Sequence, residues 1–185
     1  MVRLARSLVF GLAVAGGLAA LAAVSRLTYI VPAAAGSVDT PELRPPVPDL
    51  VFADGSNMPV HLGHFAGQVL IVNFWASWVG PSVKETAALD RLQGDLRGLP
   101  LAILAICEDK GGIAVARDFL ARQKFTFLRP FADPNAGMAH VLNVRGLPTT
   151  LVIDRHGRLV SRVEGPSRWD DPDTIASLRH LAAER

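Results

Sequence analysis

Cys107 is the only cysteine in this 185-residue sequence, and its thiol is the side chain best suited to covalent chemistry. It follows Leu101–Ile106, an apolar run that predicts a buried strand, so it should lie at the carboxyl end of that strand. Two interpretations remain open. The thiol is either a small buried hydrophobic group or an exposed monothiol that forms mixed disulfides or binds a metal ion. The carboxylates of Glu108 and Asp109 should raise its pKa and make it less reactive.

Ser82 and Glu85 are the next candidates, because their S-x-x-E spacing is that of a capping box at the start of a helix. We expect Ser82 to hydrogen bond to the first helical turn. Glu85 should then be a cap or a solvated carboxylate. The histidines lack the spacing of metal ligands, although His61 and His64 are near enough in sequence to share a small site. The sequence therefore predicts no metal site and no cofactor.

The elements that position these side chains begin with Leu70–Trp75, an apolar run with the β-branched and aromatic content of a buried strand. A turn of small residues follows at Ala76–Pro81, and a helix is predicted over Pro81–Leu96. The turn therefore lies between the carboxyl end of a strand and the amino end of a helix. Open α/β sheets place their active sites at this position, and the helix dipole favours a negative charge there. Leu101–Ile106 predicts a second buried strand, parallel to the first.

The remaining segments predict further strands and helices in alternation. They are a hairpin of Asp49–Ala53 with Pro59–Leu62, a helix at Ile113–Gln123, a strand at Phe125–Pro130, a short helix at Asn135–Leu142, a hairpin of Thr149–Asp154 with Arg158–Glu164, and a closing helix at Asp173–Ala183. This order predicts a mixed α/β sheet flanked by helices.

The N-terminal segment, residues 1–35, is expected to target or anchor the chain. Leu8–Val24 is uncharged and has the length of a short membrane-spanning helix, with Arg3 and Arg6 before it. The positive-inside rule places the following domain outside the cytoplasm. An uncleaved inner-membrane anchor is favoured over a cleaved signal peptide, and a buried core helix is the third alternative. Residues 36–48 are proline-rich and predict an extended linker, followed by a domain over residues 49–185.

The charge balance argues against a nucleic-acid partner. Lys and Arg together number 19, and Asp and Glu number 17. Three of the arginines lie in the N-terminal segment, at Arg3, Arg6 and Arg26, which leaves 16 basic residues against 17 acidic ones. The domain therefore has no excess of positive charge with which to bind a phosphate backbone.

The stretch Trp75-Ala76-Ser77-Trp78, with Pro81, resembles the active-site motif of the thioredoxin superfamily. It is most similar to the membrane-anchored TlpA-like branch, with its ResA and CcmG types, whose motif reads W-A-[ST]-W-C-x-P-C. Val79 and Ser82 stand where that family has its two cysteines. The resemblance covers the chain from about Val47 onward. It implies a thioredoxin-like fold preceded by a hairpin, and a thiol-disulfide oxidoreductase ancestry.

The same resemblance assigns roles to two further positions. Pro148, in Gly146-Leu147-Pro148-Thr149-Thr150, matches the family's cis-proline, which lies against the active-site turn. Glu85 matches an acidic residue that helps to tune thiol reactivity in TlpA-like proteins. These implications depend on the family motif and not on spacing alone.

Disulfide exchange needs an attacking thiolate and a resolving thiol, and neither Val79 nor Ser82 supplies one. We therefore expect a periplasm-facing, non-catalytic binding or assembly module whose partner is a protein or peptide. Its pocket should comprise Trp78, Val79, Pro81, Glu85, Leu147, Pro148 and Thr149. Two alternatives remain: a weak monothiol oxidoreductase acting through Cys107 in cytochrome or oxidase maturation, and a metallochaperone-like factor.

Overall fold

The computed structural model describes residues 44–184, which alternate between short strands and amphipathic helices. In chain order the elements are β1 (Val51–Ala53), β2 (Pro59–His61), a 3-10 helix (Leu62–Phe65), β3 (Val69–Trp75), α1 (Gly80–Asp95), β4 (Leu101–Cys107), α2 (Gly112–Arg122), β5 (Phe131–Ala132), α3 (Gly137–Val141), β6 (Thr149–Ile153), β7 (Leu159–Glu164) and α4 (Pro172–Ala183). The predicted thioredoxin-like mixed sheet with an N-terminal hairpin is confirmed.

The seven strands form one sheet in the order β2-β1-β5-β4-β3-β6-β7. The two apolar runs found in the sequence, β3 and β4, are central and parallel, and Trp75 lies opposite Cys107. Strand β6 runs antiparallel to β3, with Thr149 opposite Phe74. The end of β3, the end of β4 and the start of β6 therefore meet at one edge of the sheet, called here the upper edge.

Both faces of the sheet are covered, which explains why β3 is apolar at every position except Asn73. Val69, Ile71 and Trp75 belong to a core that includes Leu89 of α1 and Phe119 of α2. The alternate residues of β3 face a second core, to which the 3-10 helix and α3 contribute. Because side chains alternate along a strand, a strand buried on both faces shows no polar alternation.

The predicted strand at Phe125–Pro130 is wrong; the fifth strand is the pair Phe131–Ala132. The reason is a competing hydrogen-bond acceptor. The Asp90 carboxylate on α1 accepts the backbone N–H groups of Thr126, Phe127 and Leu128. A side chain thus satisfies these donors, and the segment forms a loop instead of pairing with a neighbouring strand.

The end of the predicted linker is attached to the domain. The buried guanidinium of Arg44 donates to the carboxylates of Asp154, at 3.1 Å, and Glu184, at 2.9 Å. The backbone of Val47 donates to Gly157, and Pro45 accepts from Leu159. The folded unit therefore extends back to Arg44.

This attachment lies far from the upper edge. Asp154 follows Ile153, which pairs with Leu70 near the start of β3, and so belongs to the opposite edge of the sheet. The predicted anchor Leu8–Val24 lies outside the described residues. Within residues 44–184, none of the helices combines the length and hydrophobicity required to cross a bilayer.

Candidate functional site

The turn between β3 and α1 is fixed in place by the end of β4. Asp109 accepts hydrogen bonds from the backbone N–H of Ser77, at 2.8 Å, and from its hydroxyl, at 3.0 Å. The backbone N–H of Glu108 also donates to Trp75. Trp75 itself is buried, whereas Trp78, three residues on, has 74 % of its surface exposed. The turn thus presents one indole ring to solvent on a rigid support.

Val79 is the N-cap residue of α1, and Pro81 lies in the first helical turn, where its fixed φ angle is favourable. Val79 is half-buried and Pro81 is exposed. The predicted capping box is wrong, because the helix begins two residues before Ser82. Ser82 is fully buried, and its hydroxyl has no hydrogen-bond partner among the described residues.

Glu85 is also buried, with 3 % of its surface exposed, so the prediction of a cap or a solvated carboxylate is wrong. One turn after Ser82, it faces the sheet, where its carboxylate accepts a hydrogen bond from the indole N–H of Trp169. Burial raises the pKa of Glu85 to about 7, against the opposing influence of Trp169, the Ser167 backbone and the Thr150 hydroxyl. Helical periodicity carries this side chain inward together with Ser82.

Three residues of this buried polar cluster were missed by the sequence analysis: Asn73, Thr150 and Trp169. The amide of Asn73 donates to the hydroxyl of Thr150 at 2.9 Å, and both are fully buried. Asn73 was the available signal, since a lone amide within an apolar strand needs a buried partner. No local pattern singled out Trp169.

The loop before β6 lies beside the turn at the upper edge. The Leu147–Pro148 peptide bond is cis, the geometry that the resemblance implies. Pro148 precedes Thr149, which pairs with Phe74, so Pro148 is level with the end of β3. Pro148 and Thr149 are buried and Leu147 is half-buried. The Thr149 hydroxyl donates to the Gly146 carbonyl at 2.7 Å and stiffens this loop.

Cys107 lies at the end of β4, as predicted, and is completely buried. Its thiol donates to the Asp109 carboxylate at 3.2 Å. Burial, with the nearby negative charges of Asp109 and Glu108, raises the pKa of the thiol to about 12. A protonated and inaccessible thiol is a poor nucleophile, so the structure favours the buried hydrophobic interpretation.

A half-buried carboxyl lies beside this cysteine. Burial and the charge of Asp133 raise the pKa of Glu108 to about 8. Asp133 is committed to the start of α3, where it accepts the backbone N–H groups of Gly137, Met138 and Ala139. Across residues 44–184, no group of three or more histidine, cysteine or acidic side chains is arranged to hold a metal ion.

The upper edge therefore combines an exposed indole, an apolar N-cap residue and a cis-proline loop over a buried carboxyl. It offers apolar contact area and backbone groups. Neither Val79 nor Ser82 provides a thiol, and the thiol of Cys107 is enclosed.

Comparison with known proteins agrees with this geometry. Residues 44–178 match the Redoxin family. The chain is 27 % identical over 125 residues to the thiol-disulfide oxidoreductase ResA of Bacillus thuringiensis, covering 67 % of this chain and 70 % of that protein. It is 35 % identical over 104 residues to the thiol:disulfide interchange protein HelX of Rhodobacter capsulatus, covering 56 % of each.

A solved structure shows the same fold. The secreted thiol-disulfide isomerase of Corynebacterium glutamicum superposes with a TM-score of 0.64 at 21 % identity, covering 75 % of this chain and 86 % of that one. The family match spans most of the domain, and the relatives are thiol-disulfide oxidoreductases by name. This chain therefore belongs to the redoxin family of the thioredoxin superfamily, among its TlpA-, ResA- and CcmG-type members.

Proposed function

We propose that this protein is a non-catalytic docking module on a thioredoxin-like scaffold. The observation that carries the proposal is the chemistry of α1's first turn, where Val79 and Ser82 occupy the positions that the family motif gives to cysteines. Valine has no nucleophilic atom, and a buried serine hydroxyl does not resolve a mixed disulfide. Neither half-reaction of disulfide exchange has its reactant here.

The monothiol alternative is weaker. Cys107 is fully buried, and its raised pKa keeps the thiol protonated at neutral pH. A partner disulfide would have to reach a sulfur atom that has no exposed surface, on the strand beside Trp75. No observation in the described residues favours a metallochaperone role at the upper edge, where imidazole and thiolate ligands are not grouped.

The docking surface consists of Trp78, Val79, Pro81 and Leu147, and the buried residues Pro148 and Thr149 hold the loop that carries Leu147. Exposed tryptophan is unfavourable in water, and interfaces are enriched in it because a large rigid ring gains much contact area for little lost entropy. The loop is stiff, which limits the entropy lost on binding. An extended segment of a protein or peptide, lying along the loop with an apolar side chain against Trp78, fits these features.

The attachment of Arg44 supports an orientation for this surface. Arg44 binds Asp154 at the edge of the sheet opposite the turn. An inner-membrane anchor preceding residue 44 would hold that opposite edge nearer to the bilayer. The docking surface would then face the periplasm, where we propose that the partner resides.

The catalytic half of the proposal is tested by reduction of insulin with dithiothreitol, using the purified full chain. We expect no rate above the uncatalysed background. Turnover that is comparable with that of a dithiol redoxin would contradict the proposal.

The docking half is tested by photo-crosslinking in membranes of the native organism. A crosslinking amino acid at Gly80, an exposed position near Trp78 with open space for a side chain, is compared with one at Met58, which is 59 % exposed on the hairpin. We expect a discrete adduct from position 80 only, competed by the unmodified chain but not by its Trp78→Ala variant. Equal adducts from both positions would refute the assignment of this surface.

A further inference from the structure

Two imidazoles lie side by side where the N-terminal hairpin joins the 3-10 helix. The ring centroids of His61 and His64 are 5.6 Å apart. His61 is the N-cap of the 3-10 helix Leu62–Phe65, and His64 lies within it. His61 has extended backbone angles at the N-cap, and the one-turn helix that follows brings His64, three residues later, beside its ring. The structure thus supplies the proximity that the three-residue spacing alone did not establish.

Asp49 fixes the orientation of one ring. Its Oδ2 lies 3.1 Å from Nδ1 of His61, and its Oδ1 accepts the backbone N–H of Gly63 at 2.8 Å. A carboxylate accepts hydrogen bonds, so Nδ1 of His61 donates and Nε2 keeps its lone pair on the far side of the ring. A carboxylate that orients a ligating histidine in this way is a recurrent feature of metal sites and raises the basicity of the ligand.

The spacing of the rings fits two ligands of one ion. Two imidazoles whose nitrogens each lie ~2 Å from a common metal ion have ring centroids about 5 Å apart. The observed 5.6 Å needs only a small rotation, which the His64 ring can supply while Asp49 holds the ring of His61. Half of the His61 side chain is exposed, and His64 is exposed as well, so an ion in solution has direct access to both.

We propose that His61 and His64 form a two-imidazole site for a divalent late transition-metal ion, with Asp49 as a positioning residue that orients His61. Copper(II) is the preferred ion, because imidazole suits it and the Irving–Williams order gives it the highest affinity among the divalent first-row metals. Solvent fills its remaining coordination positions. Zinc binds the same pair more weakly. This site involves no residue of the proposed docking surface, so the two proposals stand independently.

The test is a titration of the full chain with copper(II) chloride, followed by calorimetry and by electron paramagnetic resonance. We expect one site with two coordinated nitrogen atoms. His61→Gln and His64→Gln should each lower the affinity at least tenfold and reduce the nitrogen count to one. Both glutamines keep a polar exposed side chain, so loss of folding is not expected, and circular dichroism verifies it.

Two further variants separate this site from general histidine binding. His180→Gln, on the exposed face of α4, should leave the affinity within twofold. Asp49→Asn should weaken binding about tenfold, the lower end of the effect of outer-shell partners, while both nitrogens stay coordinated. The proposal is overturned if His61→Gln and His64→Gln bind copper as the parent does, or if His180→Gln loses the site.

Discussion

The indole N–H of Trp169 donates a hydrogen bond to the carboxylate of Glu85, joining the segment before α4 to the first turns of α1 across 84 residues of sequence. The contact lies beneath the turn that carries Trp78 and Val79. It keeps in the core a carboxyl group that forms no salt bridge within residues 44–184. The domain has thus retained a titratable group below a surface that has no thiol for it to influence.

Stability should therefore depend on pH through Glu85. Its pKa is about 7 in the folded protein against an ordinary value of 4.5, so the folded state holds the proton more tightly. The resulting stabilisation is complete below pH ~4.5 and is lost as the pH rises to ~7, a decrease of about 3 kcal/mol in the free energy of unfolding. Glu85→Gln, which keeps an acceptor for Trp169, should remove this dependence.

The measurement is urea unfolding of parent and variant at a series of pH values. The pKa of Glu108 is raised to about 8, so Glu108 gives both proteins a pH dependence of the same sign. The difference between the two curves of unfolding free energy against pH therefore isolates the contribution of Glu85. A difference that stays constant between pH 4.5 and 7 would show that Glu85 ionises normally in the folded state.

Truncation of the two tryptophans of the motif should change the stability of the fold by very different amounts. Trp75 is 1 % exposed and packs on Phe119 with ring centroids 4.6 Å apart, so Trp75→Ala should destabilise the fold by about 3–5 kcal/mol. Trp78 is 74 % exposed, and Trp78→Ala should change stability by less than ~0.5 kcal/mol. Thermal unfolding of both variants decides this. A large loss from Trp78→Ala would mean that its indole is part of the core and not a contact surface.

Introducing cysteines at positions 79 and 82 should restore thiol-disulfide exchange. In the double variant Val79→Cys, Ser82→Cys, the first thiol lies at the N-terminus of α1, where the helix dipole lowers a thiol pKa, and the second lies one turn inside. We expect insulin reduction well above background from the double variant. The single variant Val79→Cys, which lacks a resolving thiol, is the matched control and should form mixed disulfides without turnover. If the folded double variant is inert, missing sulfur is not the whole reason for the inactivity of the parent.

Cys107 should resist alkylation while the protein is folded. Its sulfur is buried and its pKa is raised to about 12, so both access and thiolate are lacking. Iodoacetamide at pH 8 should modify the native protein at least a hundredfold more slowly than the same protein in denaturant, as followed by mass spectrometry. Comparable rates in the two states would restore the monothiol oxidoreductase as a serious alternative.

Much of the fold was predictable because its signals are local. The apolar runs of β3 and β4, the small-residue turn between β3 and α1, and the hairpin of β6 with β7 each depend on a few neighbouring residues. The prediction of a strand at Phe125–Pro130 was wrong because the contact that decides this segment is not local. Asp90, some 36 residues earlier, takes up the backbone donors of that segment, and nothing in the segment itself reveals this.

The candidate site also has features that the sequence determines and features that only the tertiary structure determines. Composition and order alone determined that one cysteine is present, that it comes directly after the apolar run Leu101–Ile106, and that valine and serine stand at positions 79 and 82. These are facts of residue type, and packing does not change them. Tertiary structure decided that Glu85 and Ser82 face inward, that Cys107 is sealed, and that Trp78 remains outside. Burial, and with it each pKa, arises from contacts between residues far apart in the chain, such as Glu85 and Trp169, which local periodicity does not record.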